Sequence, residues 1–134
     1  MRLQKIFLGL AITATLGYAQ FIGITPAELQ TKIDQKVVVI DIRTPGEWKD
    51  TGVIPTSHKI MFFDNSGKYD MKAWLNDISK YVKTKTQPFV LVCRSGNRTG
   101  QVGQFLSDKL GYKKVFDLDH GIKSWIKEQR KTIK

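Results

Sequence analysis

Two uninterrupted apolar runs, Val37-Val38-Val39-Ile40 and Phe89-Val90-Leu91-Val92, constrain this chain more than anything else in it. A strand with one wet face alternates apolar and polar residues. A run without alternation is dry on both faces, as a central strand of a parallel sheet is. Helical patterns stand between and around the runs. Thr25-Pro26-Ala27-Glu28 opens a helix to about Lys32 or Asp34, with threonine as N-cap, proline in the first turn and glutamate three residues on. Thr44-Pro45-Gly46-Glu47 repeats that logic for a short helix through Trp48 to Asp50. Gly52-Val53-Ile54-Pro55 turns toward a short strand near Lys59-Ile60-Met61, and Phe62 to Tyr69 reads as a loop. Asp70 to Val82 spaces Met71, Trp74, Leu75, Ile78, Tyr81 and Val82 at a helical period. A helix from about Thr99 to Leu110 should bury Val102, Phe105, Leu106 and Leu110 and stop at Gly111. Val115-Phe116 is another short strand, and Ile122 to Gln129 a last helix. Strands alternating with helices predict an α/β fold, a doubly wound parallel sheet with helices on both faces. Such sheets bind ligands at the carboxyl ends of their strands.

The second run ends at the one cysteine of the chain, Cys93, followed by Arg94-Ser95-Gly96-Asn97-Arg98-Thr99-Gly100. The thiol therefore belongs at a strand's carboxyl end, facing backbone N–H groups and the start of the next helix. Such surroundings stabilise a thiolate and pull its pKa below the ~8.5 of free cysteine. Gly96 can supply the positive φ of a tight loop, and Arg94 and Arg98 add positive charge. A lone cysteine is often a small buried hydrophobe. A polar, doubly basic loop is a poor home for one, so the pattern predicts a reactive thiol.

Residues 1–19 are a different kind of text. Arg2 and Lys5 form a short basic region, Ile6 to Leu16 is apolar, and Gly17-Tyr18-Ala19 places small residues before a cleavage point. The expectation is a signal peptide over residues 1–19, cut after Ala19, a single domain over 20–134 and a periplasmic location. The apolar core falls short of the ~20 residues of a comfortable span. An uncleaved membrane anchor is the alternative, because no charged residue occurs from Ile6 to Ala27. Losing residues 1–19 removes Arg2 and Lys5 and no acid, so the net charge goes from +10 to +8. A basic exported domain suits small anions, anionic lipid headgroups or an acidic partner, membrane-associated ones included. Nucleic acid is disfavoured, since export separates the chain from it and no stacking aromatics accompany the charge. No metal and no cofactor are expected, and nothing bears on oligomeric state. An exported chain with one cysteine makes no internal disulfide, and a free thiol in an oxidising compartment is a liability unless it works.

Four segments together resemble the single-domain rhodaneses, sulfurtransferases, of an exported bacterial type. Asp41-Ile42-Arg43-Thr44-Pro45-Gly46-Glu47-Trp48 is similar to the family's D-V-R-x-x-x-E-[YFW]. Gly52-Val53-Ile54-Pro55-Thr56-Ser57 is similar to G-H-I-P-G-A, with Val53 in place of histidine. Cys93-Arg94-Ser95-Gly96-Asn97-Arg98-Thr99 is similar to the active loop C-x-x-G-x-R-S. Asp117-Leu118-Asp119-His120-Gly121-Ile122-Lys123-Ser124-Trp125 matches L-x-G-G-[IV]-x-x-W, with His120 where the first glycine is expected. If that position needs positive φ, histidine is among the residues that tolerate it. His120 and His58 read more simply as a turn residue and a strand-end residue than as bases.

The resemblance implies a rhodanese fold and a ping-pong transfer. Cys93 takes a sulfane sulfur from thiosulfate or a polysulfide, and a thiol, a protein acceptor or cyanide then removes it. Arg94, Ser95, Gly96, Asn97 and Arg98 are expected to bind the small anionic sulfur donor. Arg98 has the alternative of pairing with an acid to brace the loop. Asp41 and Arg43 are expected as loop support, an ion pair more than a site. A non-enzymatic carrier of polysulfide sulfur is the alternative function, and a rhodanese-fold phosphatase or arsenate reductase a weaker one. Those phosphatases carry C-x5-R, whereas Cys93 to Arg98 is C-x4-R. The shorter loop is sized for sulfur.

Overall fold

The computed structural model describes residues 19–134. Its elements run β1 (Gln20–Ile24), α1 (Pro26–Asp34), β2 (Val38–Asp41), α2 (Pro45–Thr51), β3 (His58–Lys59), α3 (Met71–Ile78), β4 (Phe89–Val92), α4 (Asn97–Asp108), β5 (Lys114–Leu118) and α5 (Gly121–Lys127). The five strands form one parallel sheet in the order β1-β5-β4-β2-β3. The doubly wound α/β expectation holds.

The two apolar runs are the middle of this sheet. β4 pairs with β2 on one side, Val38 opposite Phe89 through Asp41 opposite Val92, and with β5 on the other. All four of its residues are buried. Alternation along the strand divides them between two cores. Phe89, Leu91 and Cys93 face one core with Ile40 of β2, Ile42 just beyond it, Trp74 and Ile78 of α3, and Val102 and Leu106 of α4. Val90 and Val92 face the other, with Leu29 of α1 and Ile122 and Trp125 of α5. Each fully buried side chain of this size contributes ~1.5–3 kcal/mol. Helices therefore cover both faces because the central strand is apolar on both.

The helix starts follow the capping residues. Thr25 and Thr44 each complete a capping box, with Glu28 and Glu47 respectively. Asp70 accepts from the Ala73 N–H and caps α3.

Several expectations are corrected. Gln20–Ile24, a segment without a strand pattern of its own, forms β1 by pairing with β5 along its whole length, Gln20 opposite Lys114 through Ile24 opposite Leu118. α3 ends at Ile78, not Val82, because Tyr81 and Val82 N–H both turn back onto the Ile78 carbonyl. Val82 is still buried. α4 starts and ends two residues earlier than expected, and Phe105 lies 40 % exposed. Val102 and Leu106 are buried as expected, joined by Thr99, Gly103 and Ser107, and Leu110 is half-buried. β3 is His58–Lys59, ahead of the expected stretch, and β5 extends the two-residue strand to five.

Residues 1–18 of the expected signal segment lie outside the described residues. Among the described residues no helix is long and apolar enough to cross a membrane. Residues 20–24, inside the uncharged stretch, are hydrogen-bonded into the sheet.

Candidate active site

Cys93 follows the last residue of β4, at the carboxyl edge of the sheet's central strand. The chain must then leave the strand and start α4 within four residues. Gly96 makes this turn at φ 100, a left-handed conformation, and serves as the N-cap of α4. The turn folds back so that the Gly96 N–H donates to Cys93 Sγ at 3.2 Å. The Thr99 hydroxyl, in the first turn of α4, lies 3.4 Å from the same sulfur. Cys93 is 1 % exposed, so its sulfur sits below the surface, held by one backbone donor and one hydroxyl.

The outer wall of the loop is supplied by the turn before α5. Gly121, at φ 63, lies flush against the backbone of Arg94 and Ser95, where any Cβ would collide. That contact lets the Ile122 N–H reach the Cys93 carbonyl at 2.8 Å and the Lys123 N–H reach the Arg94 carbonyl at 3.2 Å. His120 takes φ 60, the conformation a glycine would adopt more freely. It is exposed and, with Ser95, Lys123, Ser124 and Lys127, lines a basic cavity of about 480 Å³ beside the loop.

The loop arginines differ in their commitments. Arg98 pairs with Glu47 through both terminal nitrogens, Nη1 to Oε1 at 2.7 Å and Nη2 to Oε2 at 2.8 Å. The guanidinium holds the Glu47 carboxyl far below its usual range, at about 2, and the carboxylate in turn raises Arg98. This bidentate fork ties α4 to α2. Arg94, by contrast, is exposed at the loop mouth, as are Ser95 and Asn97, while Gly96 is half-buried.

Asp41 and Arg43 lie at the end of β2 and are 0 % and 1 % exposed. Arg43 Nη2 meets Asp41 Oδ2 at 2.9 Å and Nε meets Asp41 Oδ1 at 3.0 Å, while Nη2 also donates to the Gly52 carbonyl and Nη1 to the Thr51 hydroxyl, both at 2.8 Å. Trp48 Nε1 adds a 3.1 Å bond to Asp41 Oδ1. Each polar atom of a buried ion pair needs such partners if the pair is not to cost stability. The pair fastens β2 to α2, from which Glu47 reaches the loop. His58 instead stacks on Tyr81 at 3.6 Å between ring centroids, at the β3 edge, where burial lowers its pKa.

Three residues meet the site in ways their local sequence does not show. Thr99 was visible as the hydroxyl position closing C-x-x-G-x-R-S, but its contact with the sulfur was not. Glu47 stands in the sequence as a helix cap and as the glutamate of the D-V-R-x-x-x-E-[YFW] segment, and its pairing with Arg98 spans 51 positions that no local pattern bridges. Asp117, a carboxylate inside the short strand β5, accepts from the Thr99 hydroxyl at 2.8 Å. No local pattern announces it.

The sequence profile of the rhodanese-like domain matches residues 25–128. A rhodanese domain-containing protein of Drosophila melanogaster is 28% identical over 95 residues, 69% of this chain and 85% of that protein. A rhodanese-related protein from Thermoplasma volcanium superposes with TM-score 0.59 at 26% identity, over 83% of this chain and 96% of its own. The human single-domain sulfurtransferase superposes with TM-score 0.60 at 20% identity, over 79% of this chain and 96% of its own.

Proposed function

The chain belongs to the rhodanese-like domain family, and from that premise we propose that it transfers a sulfane sulfur through a persulfide on Cys93. The observation that carries this reading is the seat of the sulfur. Sγ accepts the Gly96 N–H at the bottom of a six-residue loop running from Cys93 to Arg98, at a strand's carboxyl end. A thiolate there attacks the outer sulfur of thiosulfate or of a polysulfide. A sulfur–sulfur bond forms to Cys93 while the donor's own breaks, and sulfite or the shortened polysulfide leaves with the electron pair. An acceptor thiolate or cyanide then takes the outer sulfur and returns the Cys93 thiolate. Backbone donors of the loop hold the negative charge of the persulfide as an oxyanion hole holds oxygen.

Arg94 at the mouth and the lysines of the adjacent cavity attract an anionic donor. Arg98 braces the loop through Glu47, and Asp41 with Arg43 supports it from β2. The same arrangement argues against phosphate chemistry. The loop is one residue shorter than C-x5-R, and its arginine already spends both terminal nitrogens on a carboxylate. Export through residues 1–19 and a periplasmic, thiol-bearing or membrane-associated acceptor complete the proposal.

Incubation of reduced protein with thiosulfate or polysulfide should add one sulfur to Cys93, seen by intact-protein mass spectrometry and removed by cyanide, with Cys93→Ser as blank. No adduct from either donor would sink the reading. Stoichiometric loading without steady-state thiocyanate formation would make the protein a carrier.

A further inference from the structure

A buried carboxylate stands two hydrogen bonds from the reactive sulfur. Asp117 on β5 is 7 % exposed, Thr99 0 % and Cys93 1 %. Thr99 Oγ1 lies 2.8 Å from Asp117 Oδ2, 3.4 Å from Cys93 Sγ and 3.2 Å from the Gly96 carbonyl. A hydroxyl has one proton and cannot donate to all three.

The state of Asp117 decides where that proton goes. When Asp117 is ionised, the short charge-assisted contact takes the Thr99 proton. The hydroxyl then offers the sulfur only lone pairs, and Cys93 is held as a thiol donating to Thr99. When Asp117 is protonated, its own O–H donates to Thr99 Oγ1, and the Thr99 proton turns to the sulfur and stabilises a thiolate. The two arrangements, S–H···O–H···carboxylate and thiolate···H–O···carboxylic acid, differ by two short proton displacements. One proton moves from Sγ to Oγ1 and another from Oγ1 to Oδ2, so one negative charge moves from Asp117 to Cys93. No bond between heavy atoms changes.

We propose that Asp117 is a positioning residue for the persulfide chemistry, sharing one proton with Cys93 through the Thr99 hydroxyl and thereby setting the protonation state in which the sulfur meets its donor. This rests on Cys93 being the working nucleophile. Burial supports it by raising the Asp117 pKa, against the lowering pull of the Thr99 bond, and the charge of Asp119 adds to the rise. The other charges facing the pair are few. Arg98 on α4 feels the Cys93 charge and is largely neutralised by Glu47 of α2. The strands flanking β5 place Gly23 and Leu91 opposite Asp117, neither of which titrates.

The test is the rate of Cys93 alkylation by iodoacetamide as a function of pH, in the full-length protein. An Asn amide at 117 can donate permanently to Thr99, so Asp117→Asn should move the profile to lower pH by about one unit, or about tenfold in rate on its acid limb. In a Thr99→Val background the same substitution should have a much smaller effect, while Thr99→Ser should retain it. An unshifted profile in folded Asp117→Asn, or an equal shift with and without the hydroxyl, would overturn the relay. Should Asp117→Asn fail to fold, the carboxyl resonance of Asp117 gives the same answer in folded protein. Its titration must move between wild type and Cys93→Ser, and an unmoved midpoint overturns the proposal. Alkylation needs no sulfur donor, so a Cys93 that accepts no sulfur and a Cys93 uncoupled from Asp117 give different results.

Discussion

At the scale of the residue, the site depends on backbone conformations as much as on side-chain chemistry. Gly121 lies against the Arg94–Ser95 backbone at positive φ, so Gly121→Ala combines a steric clash with conformational strain. The expected cost is about 2 kcal/mol or more in urea unfolding, together with a loss of sulfur loading as the loop is pushed outward. His120, next to it, shows the opposite case. It holds φ 60 while its side chain makes no capping hydrogen bond to α5. His120→Gly should raise stability by a few tenths to about 1 kcal/mol, since left-handed conformations burden any residue with a Cβ. If chemical unfolding shows instead a loss above that size, the imidazole makes contacts that outweigh its strain.

At the scale of the element, Glu47 joins two helix starts. Its Oε1 accepts the Thr44 N–H in the α2 capping box at 3.2 Å, and both its oxygens hold Arg98 in the first turn of α4. Its folded pKa, about 2 against 4.5, is depressed mainly by the Arg98 bond. A depressed carboxylate adds stability that is complete above the unfolded value and disappears as pH falls through the folded one. Stability should therefore drop between about pH 4.5 and 2, and Glu47→Gln should flatten that part of the curve, measured by urea midpoints at each pH. The Asp41–Arg43 pair at the end of β2 is a different case, because no water screens it. Arg43→Ala would strand a fully buried Asp41 and should cost ~3–5 kcal/mol. A folded Arg43→Ala variant of wild-type stability would show that the pair does not brace the site.

At the scale of the whole molecule, β1 closes the far edge of the sheet beside β5, the strand that carries Asp117. A chain begun at Gln20 keeps the whole β1–β5 ladder. One begun at Thr25 loses the β1–β5 ladder and the buried Ile24, and should fall by roughly 10 °C or more in Tm. Equal melting of the two would mean that β1 is not part of the cooperative unit. The net charge of +10 acts at this scale too. KM for thiosulfate should rise with ionic strength as salt screens the approach of an anion to a basic mouth.

Local chemistry along the chain sets the layers and the position of the thiol. Two runs apolar on both faces can only be central strands, and Phe89–Val92 leads straight into Cys93 and a glycine turn. The helix caps at Thr25 and Thr44 are local chemistry and were legible for the same reason. Helix ends and edge strands were less so. α4 begins at Asn97 because Gly96 turns the chain early, and β1 is a strand only because β5 lies beside it. What the tertiary structure alone decided is which groups meet the loop. Glu47 holds both terminal nitrogens of Arg98, Gly121 walls the loop, and Thr99 stands between Asp117 and Cys93. These partners lie 51, 27 and 18 positions apart in sequence. Their meeting depends on how the parallel strands are ordered and aligned, and no periodicity along the chain encodes that register.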